Sequence, residues 1–533
     1  MTSPLLLDCT LRDGGFVNDW NFGFGSIKSI ISRLNYAGID IIEVGFIDER
    51  RIYDENRSIF PDTKSILPIL KGYYKSKALI ISMIDYGTCA IDRISNQSES
   101  CLDGIRVIFK KKDQDEALEF LSEIKGKGYK IFVNPVSITE YTDDETSILI
   151  DKINRIKPFA VSIVDTYGLM HSKELINYFD IFNQNLEQDI VLGYHAHNNF
   201  QMAYANSIAL MNRPTNRHIS IDSSLYGMGK SAGNACTELL AMYMNEFCDR
   251  NYNIHQIQEA IDVDITKEFA KKPWGYNYEY YIAALNDCHP SYVQYLLAKK
   301  TLSVKSVNEI LAMINSKVKL TYDKQHIEVL YCEYQNQYCE DTLAVKALKK
   351  EFSNKKILLL GPGKTLNDNY TDINSFVRSN HPVIVSINFL NESFPIDYVF
   401  MGNAKRYSQF FHEIYRENAK AKIICTSNIT ELGKNIDFVV NYSTLLTDDQ
   451  IIRDNPLIMF LHLLKNIGTY EIWLAGFDGY TQDDSLNYYG DYVRLLYCQD
   501  NVVLRNEAIK KKLQDISQFM RVSSLTPTKY LEG

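Results

Sequence analysis

The chain has 533 residues, 45% of them hydrophobic and 23% charged, with a formal net charge of -9 at pH 7. That length exceeds a single hydrophobic core and predicts about two or three domains. The composition is that of a folded globular protein, and the acidic surplus argues against nucleic acid or an anionic membrane as a partner. No apolar run is long enough to span a bilayer, and the opening Met-Thr-Ser-Pro-Leu-Leu-Leu-Asp lacks the basic start of a secretory signal, so the expectation is a cytoplasmic protein. Ten cysteines are scattered between Cys9 and Cys498 without a Cys-x-x-Cys pair, which predicts reduced, mostly buried thiols. The basic run Lys110, Lys111, Lys112 reads as a solvated face.

From residue 4 to about 247, short apolar runs alternate with amphipathic helical stretches. Predicted strands cover residues 5–8, 39–46, 78–84, 104–109, 130–135, 160–165, 190–195 and 218–222. Most are continuous Ile/Val/Leu runs, as parallel strands covered by helices require. Eight such units predict a TIM (β/α)8 barrel over residues 1–250, with its chemistry at the C-terminal ends of the strands. Residues 251–350 lose the strand rhythm and are rich in helix formers and tyrosines (Tyr276, Tyr278, Tyr280, Tyr281), which predicts a helical appendage and a connecting helix over 343–352. The alternation restarts with strands at 357–360, 383–387, 398–401, 422–425, 438–442 and 471–475, predicting a separate Rossmann-like α/β domain over 351–533.

The strongest local signal is Gly193-Tyr194-His195-Ala196-His197-Asn198-Asn199 at the end of the seventh predicted strand. Residues i and i+2 of a strand point the same way, so His195 and His197 can put two imidazoles on one divalent ion. Two imidazoles with a carboxylate suit a borderline or hard ion that keeps positions open for a chelating substrate. The first strand runs into Asp8-Cys9-Thr10-Leu11-Arg12-Asp13-Gly14-Gly15, bringing a cation and an anion to the same mouth. Two hydrogen-bonded histidines and a surface Arg/Asp turn are the alternative reading.

These residues resemble a known family. Asp8 to Gly14, Ile42-Glu43-Val44-Gly45, His195-Ala196-His197-Asn198 and Gly227-Met228-Gly229-Lys230-Ser231-Ala232-Gly233-Asn234 follow the order of motifs in the DRE-TIM metallolyases, the HMG-CoA-lyase-like superfamily, over about the first 250 residues. The resemblance implies metal ligation by Asp13, His195 and His197 with Asn234 at or near the ion, Arg12 on the substrate oxygen, and Glu43 orienting Arg12, so that Arg12, Glu43 and Asp13 form the catalytic set. Asp8, Asp165 and Asn198 are implied as supporting groups. Asn234 reads alternatively as a helix N-cap, and Cys236 as a core residue just inside that helix.

Two departures narrow the resemblance. The HMG-CoA lyases carry a cysteine in the loop that here reads Gly-Met-Gly-Lys-Ser-Ala-Gly-Asn, which disfavours HMG-CoA cleavage. The hydroxy-oxovalerate aldolases place a histidine base where this chain has Phe16. The acid/base therefore stays open among Asp85, Tyr167, His171 and Tyr226, with Arg106 and Asn134 as candidates for binding a substrate carboxylate or hydroxyl. The stretch Lys272-Pro273-Trp274-Gly275-Tyr276 through Cys288-His289-Pro290 is similar to the helical segment after the barrel in the aldolase branch.

In the second domain Gly361-Pro362-Gly363-Lys364-Thr365 is neither a P-loop nor a Rossmann fingerprint, leaving a strand and a glycine turn that either binds phosphate or simply turns. The domain loosely resembles bacterial sialyltransferases of surface polysaccharide synthesis, through Gly361-Pro362-Gly363, Ser386-Ile387-Asn388, 399–403 and 471–480. That implies nucleotide or nucleotide-sugar contacts at Gly361, Gly363, Asn388 and Asn403. The histidine those enzymes carry beyond the last motif is missing, since the last histidine is His462.

The reading is a divalent-metal aldolase or lyase, with Mn or Mg favoured over Zn or Fe. It forms or cleaves a carbon-carbon bond beside a 2-oxo acid carbonyl, with an aldehyde as second reactant. Alternatives are a Claisen-type acyl-CoA synthase and a non-catalytic nucleotide-binding scaffold. A homo-oligomer is expected.

Overall fold

A computed structural model describes residues 3–71, 77–320, 322–391, 393–414, 421–430, 436–483, 486–494 and 501–531. The chain divides into two compact units, Met1–Pro290 and Ser291–Gly533.

In the first unit eight parallel strands, Leu5–Asp8, Ile41–Ile47, Leu79–Asp85, Gly104–Phe109, Lys130–Pro135, Ala160–Asp165, Val191–Ala196 and Ile219–Ser223, each pair with the next in the chain. The first pairs with both the second (Leu7 opposite Ile41) and the eighth (Leu7 opposite Asp222), which closes the sheet into a TIM barrel. Every expected strand appears. One was not anticipated: Ile59–Phe60, beside the second strand, is too short to show a period.

The outer helices form for local reasons. Asp143–Ile156 starts at a capping box, with Glu145 N donating to Thr142 Oγ1 (3.3 Å) and Thr142 N to Glu145 Oε2 (2.8 Å). It buries Thr146, Leu149, Ile150 and Ile153 at helical spacing and ends where Lys157 turns left-handed at φ 46. Each buried Leu or Ile stabilises the fold by about 1.5–3 kcal/mol.

Period two along the strands organises the barrel interior. Leu7, Ile41, Ile81, Phe132, Ala160 and Val191 form one apolar cluster. Two residues nearer the C-terminal ends, Ile41 gives way to Glu43, Phe132 to Asn134 and Ala160 to Ser162. Arg106 reaches Glu43, Asn134, Ser162 and Asp222 from four other strands, which is only possible inside the barrel. An apolar floor thus lies beneath a polar layer that opens towards the C-terminal face.

The helical stretch is divided at Pro290. Ile254–Ala260, Thr266–Lys271 and Tyr278–Leu285 belong to the first unit, while Val304–Ala312, Lys324–Gln335 and Thr342–Phe352 belong to the second.

The second unit is a seven-stranded, wholly parallel sheet in the order Phe438–Val440, Lys422–Thr426, Tyr398–Met401, Val383–Ile387, Ile357–Leu360, Glu471–Ala475, Arg521–Ser524. Separate apolar cores cover its two faces, as in a doubly wound α/β domain. The last strand, Arg-Val-Ser-Ser, lies at the edge and lacks the apolar run that marks the others. Among the described residues no helix is long and apolar enough to cross a membrane.

Candidate metal centre

The first barrel strand ends on a network that fixes the following turn. Asp8 accepts hydrogen bonds from Thr10 N (2.9 Å) and Thr237 Oγ1 (2.6 Å), and Thr10 Oγ1 accepts from Leu225 N (2.7 Å). Burial pushes the Asp8 carboxyl up to about 6. The chain then coils through Thr10–Asp13, all four residues buried, and Trp20 Nε1 donates to Arg12 O at 2.8 Å. Arg12 and Asp13 are thereby held beneath the surface of the mouth.

Asp13, His195 and His197 each offer a ligand atom within 4.8 Å of the others, and all three are buried. The histidines come from the end of the seventh strand at positions two apart, as the alternation requires. Asn234 joins them: its Nδ2 donates to Asp13 Oδ2 at 2.6 Å, and its backbone pairs with His197 in an isolated bridge. It is not a helix cap, since Cys236 holds the N-cap position of the helix Thr237–Phe247. His197 Nδ1 and Asn234 Oδ1 are buried without a hydrogen-bond partner. Burial holds the His197 imidazole down to about 4, so it is neutral with a lone pair to give. Burial pulls the Asp13 carboxyl up, but His197, Arg12 and His195 outweigh it and hold the group well below the usual carboxylate range. Buried, unpartnered nitrogen and oxygen donors around a carboxylate fit a divalent cation.

Arg12 lies between two carboxylates, with Nε 2.7 Å from Glu43 Oε2 and Nη1 2.8 Å from Asp13 Oδ1, while its buried Nη2 has no partner. Behind it Arg106 Nη2 lies 2.7 Å from Asp222 Oδ2, and His195 Nδ1 lies 3.1 Å from the same oxygen without the alignment of a good hydrogen bond. Burial favours a neutral Asp222, yet the Arg106 guanidinium and His195 outweigh it and keep the carboxyl below its ordinary range.

With this geometry established, three curated relatives and one family model bear on the barrel. The HMGL-like family model matches residues 3–263. Residues 3–263 are an HMGL-like domain. It belongs to the DRE-TIM metallolyase superfamily. The chain is 21% identical to oxaloacetate decarboxylase of Mycobacterium tuberculosis, over 44% of this chain and 68% of that protein. It is 25% identical to 2-isopropylmalate synthase of Staphylococcus carnosus, over 45% of this chain and 48% of the synthase, so it spans about half that relative's length. To 4-hydroxy-2-oxovalerate aldolase of Thermomicrobium roseum it is 23% identical, over 46% of this chain and 68% of that protein.

Within the HMGL-like domain, the supporting residues lie around the centre. Asp165 accepts from Leu169 N and Met170 N, each at 3.0 Å, its carboxyl pushed up to about 6 by burial, and its carbonyl takes the His197 N–H at 3.1 Å. Asn198 Oδ1 accepts from Ala203 N at 3.1 Å and so ties down the loop after the seventh strand. Among the acid/base candidates, Asp85 ends the third strand with its carboxyl raised by burial, and His171 stacks on Phe200 with ring centroids 5.7 Å apart. Tyr226 is 42% exposed and packs edge-on against Phe269 and Trp274, and burial raises the half-buried Tyr167 phenol. Arg106 is 1% exposed and Asn134 is its partner at 3.0 Å, so their polar groups are taken up inside the barrel. Cys236 stands at the N-cap position of its helix without a capping hydrogen bond from its side chain, its thiol pushed up to about 12 by burial.

Sequence reasoning missed Asp222. A signal was present, because Asp222 follows Ser220 by two residues at the end of the eighth strand, the same offset that identified the histidines. Also missed was His289, half-buried, whose imidazole is held below its ordinary value by burial and then by the Lys230 charge.

In the second unit the predicted nucleotide contacts lie at the ends of neighbouring strands. Thr365 N (2.9 Å) and Thr365 Oγ1 both donate to the Asp478 carboxylate. A Cβ at Gly363 would come within 2.5 Å of Asp478 Oδ1, so glycine there admits the Asp478 side chain. Gly361 likewise packs on the Gly476 carbonyl and the Phe477 ring. Asn388 Oδ1 accepts from Gly402 N at 2.7 Å, and Asn403 Oδ1 from Arg406 N at 2.8 Å.

Proposed function

We propose that the HMGL-like domain is a divalent-metal-dependent aldolase or lyase that makes or breaks a carbon-carbon bond beside the carbonyl of a 2-oxo acid. The observation that carries this reading is the enclosed Asp13, His195, His197 set with its unpartnered donor atoms, next to an Arg12 guanidinium whose Nη2 is also unpartnered. Asp13, His195 and His197 would hold the ion, Mn or Mg by preference, with Asn234 Oδ1 at hand. When bound, the ion supplies Lewis-acid polarisation of the substrate's carboxylate and carbonyl oxygens.

Arg12 supplies the rest of the charge stabilisation. Glu43 and Asp13 fix two edges of its planar guanidinium, which leaves Nη2 to donate to the substrate oxygen where negative charge grows as the enolate forms. In cleavage, the electrons of the breaking bond pass to the 2-oxo acid fragment as an enolate and the departing hydroxyl gives up its proton to become an aldehyde. A proton delivered to C3 then returns the enolate to the 2-oxo acid. Synthesis runs the same steps in reverse.

Enolate formation is testable without an aldehyde. The metal-loaded protein should exchange the C3 protons of pyruvate with deuterated water, followed by NMR, well above the rate with metal alone. Failure to exchange any small 2-oxo acid sinks the aldolase reading. The relation to 2-isopropylmalate synthase favours a second reading, a Claisen condensation. Thiol release from acetyl-CoA only when a 2-oxo acid is present, without C3 exchange, would establish it instead.

A further inference from the structure

The loop after the eighth barrel strand carries a charge that the chemistry above leaves unused. Lys230 has a clamped backbone: its N–H donates to Asp13 Oδ2 at 3.3 Å, and its carbonyl accepts the Gly233 N–H at 3.0 Å. Ser231 beside it is left-handed at φ 58, and a Cβ at Gly229 would come within 2.6 Å of Asp13 Oδ2. The main chain at Lys230 is therefore fixed against a candidate metal ligand, and only the side chain is free to choose a direction.

That side chain extends over the Phe16 ring, its ammonium 5.6 Å from the centroid. Phe16 is 41% exposed and packs edge-on against Trp20 (4.9 Å) and Phe46 (6.2 Å), and the Arg12 guanidinium lies 5.9 Å from the Phe46 centroid. With the Arg51 guanidinium 5.9 Å from the Trp20 centroid and 3.8 Å from Asp19, three cations flank a single aromatic trio at the mouth. Their surroundings differ: Arg12 is buried between Glu43 and Asp13, whereas half-buried Lys230 has no carboxylate of the described residues within ion-pairing distance. Asp13, the carboxylate its backbone touches, is engaged by Arg12 and Asn234. A half-buried ammonium held on a ring without a counter-charge is a site for an anion from solution.

We propose that Lys230 receives a second anionic group of the substrate, a carboxylate or a phosphate carried beyond the 2-oxo acid head, so that the barrel selects dianionic substrates. This rests on the 2-oxo acid reading above. Arg12 and the metal ligands serve the head of the molecule, and Lys230 reads its far end.

Calorimetric titration of the full-length, manganese-loaded protein tests it with three ligands. 2-Oxovalerate and 2-oxoglutarate differ only in a methyl or carboxylate at the far end, and 2-oxo-4-phosphonobutyrate provides the phosphate-like arm. The wild type should bind one of the dianions about tenfold or more tightly than 2-oxovalerate, as one charge-assisted contact gives. The preferred dianion identifies the group. Lys230→Met should erase that preference while 2-oxovalerate affinity and metal content stay within about twofold, and Lys230→Arg should restore most of it. Equal loss of all three ligands in Lys230→Met would show that the lysine grips the head, and a wild type without preference would show that it reads no charge; either overturns the proposal while the 2-oxo acid reading stands. No binding of any ligand to the wild type removes that reading and this inference together.

Discussion

The two units each gather loops at the carboxyl ends of parallel strands, yet their polar groups are in different states. At the barrel mouth His197 Nδ1, Asn234 Oδ1 and Arg12 Nη2 are buried and unpartnered. At the strand ends of the second unit, Asp478 takes both donors of Thr365, Asn388 takes the Gly402 N–H and Asn403 takes the Arg406 N–H. A buried polar group left without a partner costs about 1–3 kcal/mol. The first arrangement persists against that cost and points to a ligand, whereas the second is complete within the chain. Topology says where a parallel sheet binds; hydrogen-bond satisfaction says whether the place is waiting for something.

The largest expected effect breaks the first half of this contrast. Converting both His195 and His197 to alanine, or Asp13→Ala, removes the reason for the unpartnered donors. Elemental analysis should find the bound metal lost, and C3 proton exchange should fall by about 10³-fold or more, since an ion's stabilisation is worth several kcal/mol. Circular dichroism should be unchanged, because the apolar floor of Leu7, Ile41, Ile81 and Phe132 is untouched. Unchanged metal content in the double variant would refute the ligand assignment.

A smaller effect is expected one layer down. Asp222 lies against both Arg106 and His195, with side-chain exposures of 5% or less throughout. Asp222→Asn keeps the shape and removes the charge that holds the ring, so metal affinity should weaken by about 10- to 100-fold. A lower melting temperature with unaltered metal affinity would reduce Asp222 to a partner of Arg106 alone.

These residues also show how far the sequence was legible. The eight barrel strands could be read because buried parallel strands are written as unbroken Ile/Val/Leu runs, and His195 with His197 because a period of two puts both on one side. Asp222 obeys the same period, but its partner in that period is Ser220, a small hydroxyl with none of the metal-ligand character that made the two histidines conspicuous. Arg106 looked like a substrate contact because its strand position is right, and only the three-dimensional network shows Asp222, Glu43, Asn134 and Ser162 taking up its donors. The edge strand Arg521–Ser524 has three polar residues in four and no periodic signal. The division at Pro290 was invisible because helices on both sides share one composition.

The smallest expected effect concerns the second unit and decides whether the contrast holds. Burial raises the Asp478 carboxyl, and the Thr365 contacts pull it back, so the group is maintained by donors that a bound phosphate would also seek. A nucleotide at Gly361 and Gly363 must therefore displace a carboxylate of the same charge sign. Asp478→Ala should cost about 1 kcal/mol of stability for the lost hydrogen bonds, read as a drop of a few degrees in melting temperature. If the nucleotide-binding proposal holds, the same change frees the Thr365 donors, and calorimetry on the full chain with CMP, CDP, UDP and CMP-sialic acid should show tighter binding than in the wild type. Tighter binding would make Asp478 an internal stand-in for phosphate and bring the two strand-end sites under one description. Absence of binding to any of the four, in wild type and variant alike, would refute the nucleotide role and leave the Asp478 to Thr365 contact as finished packing, with chemistry confined to the barrel.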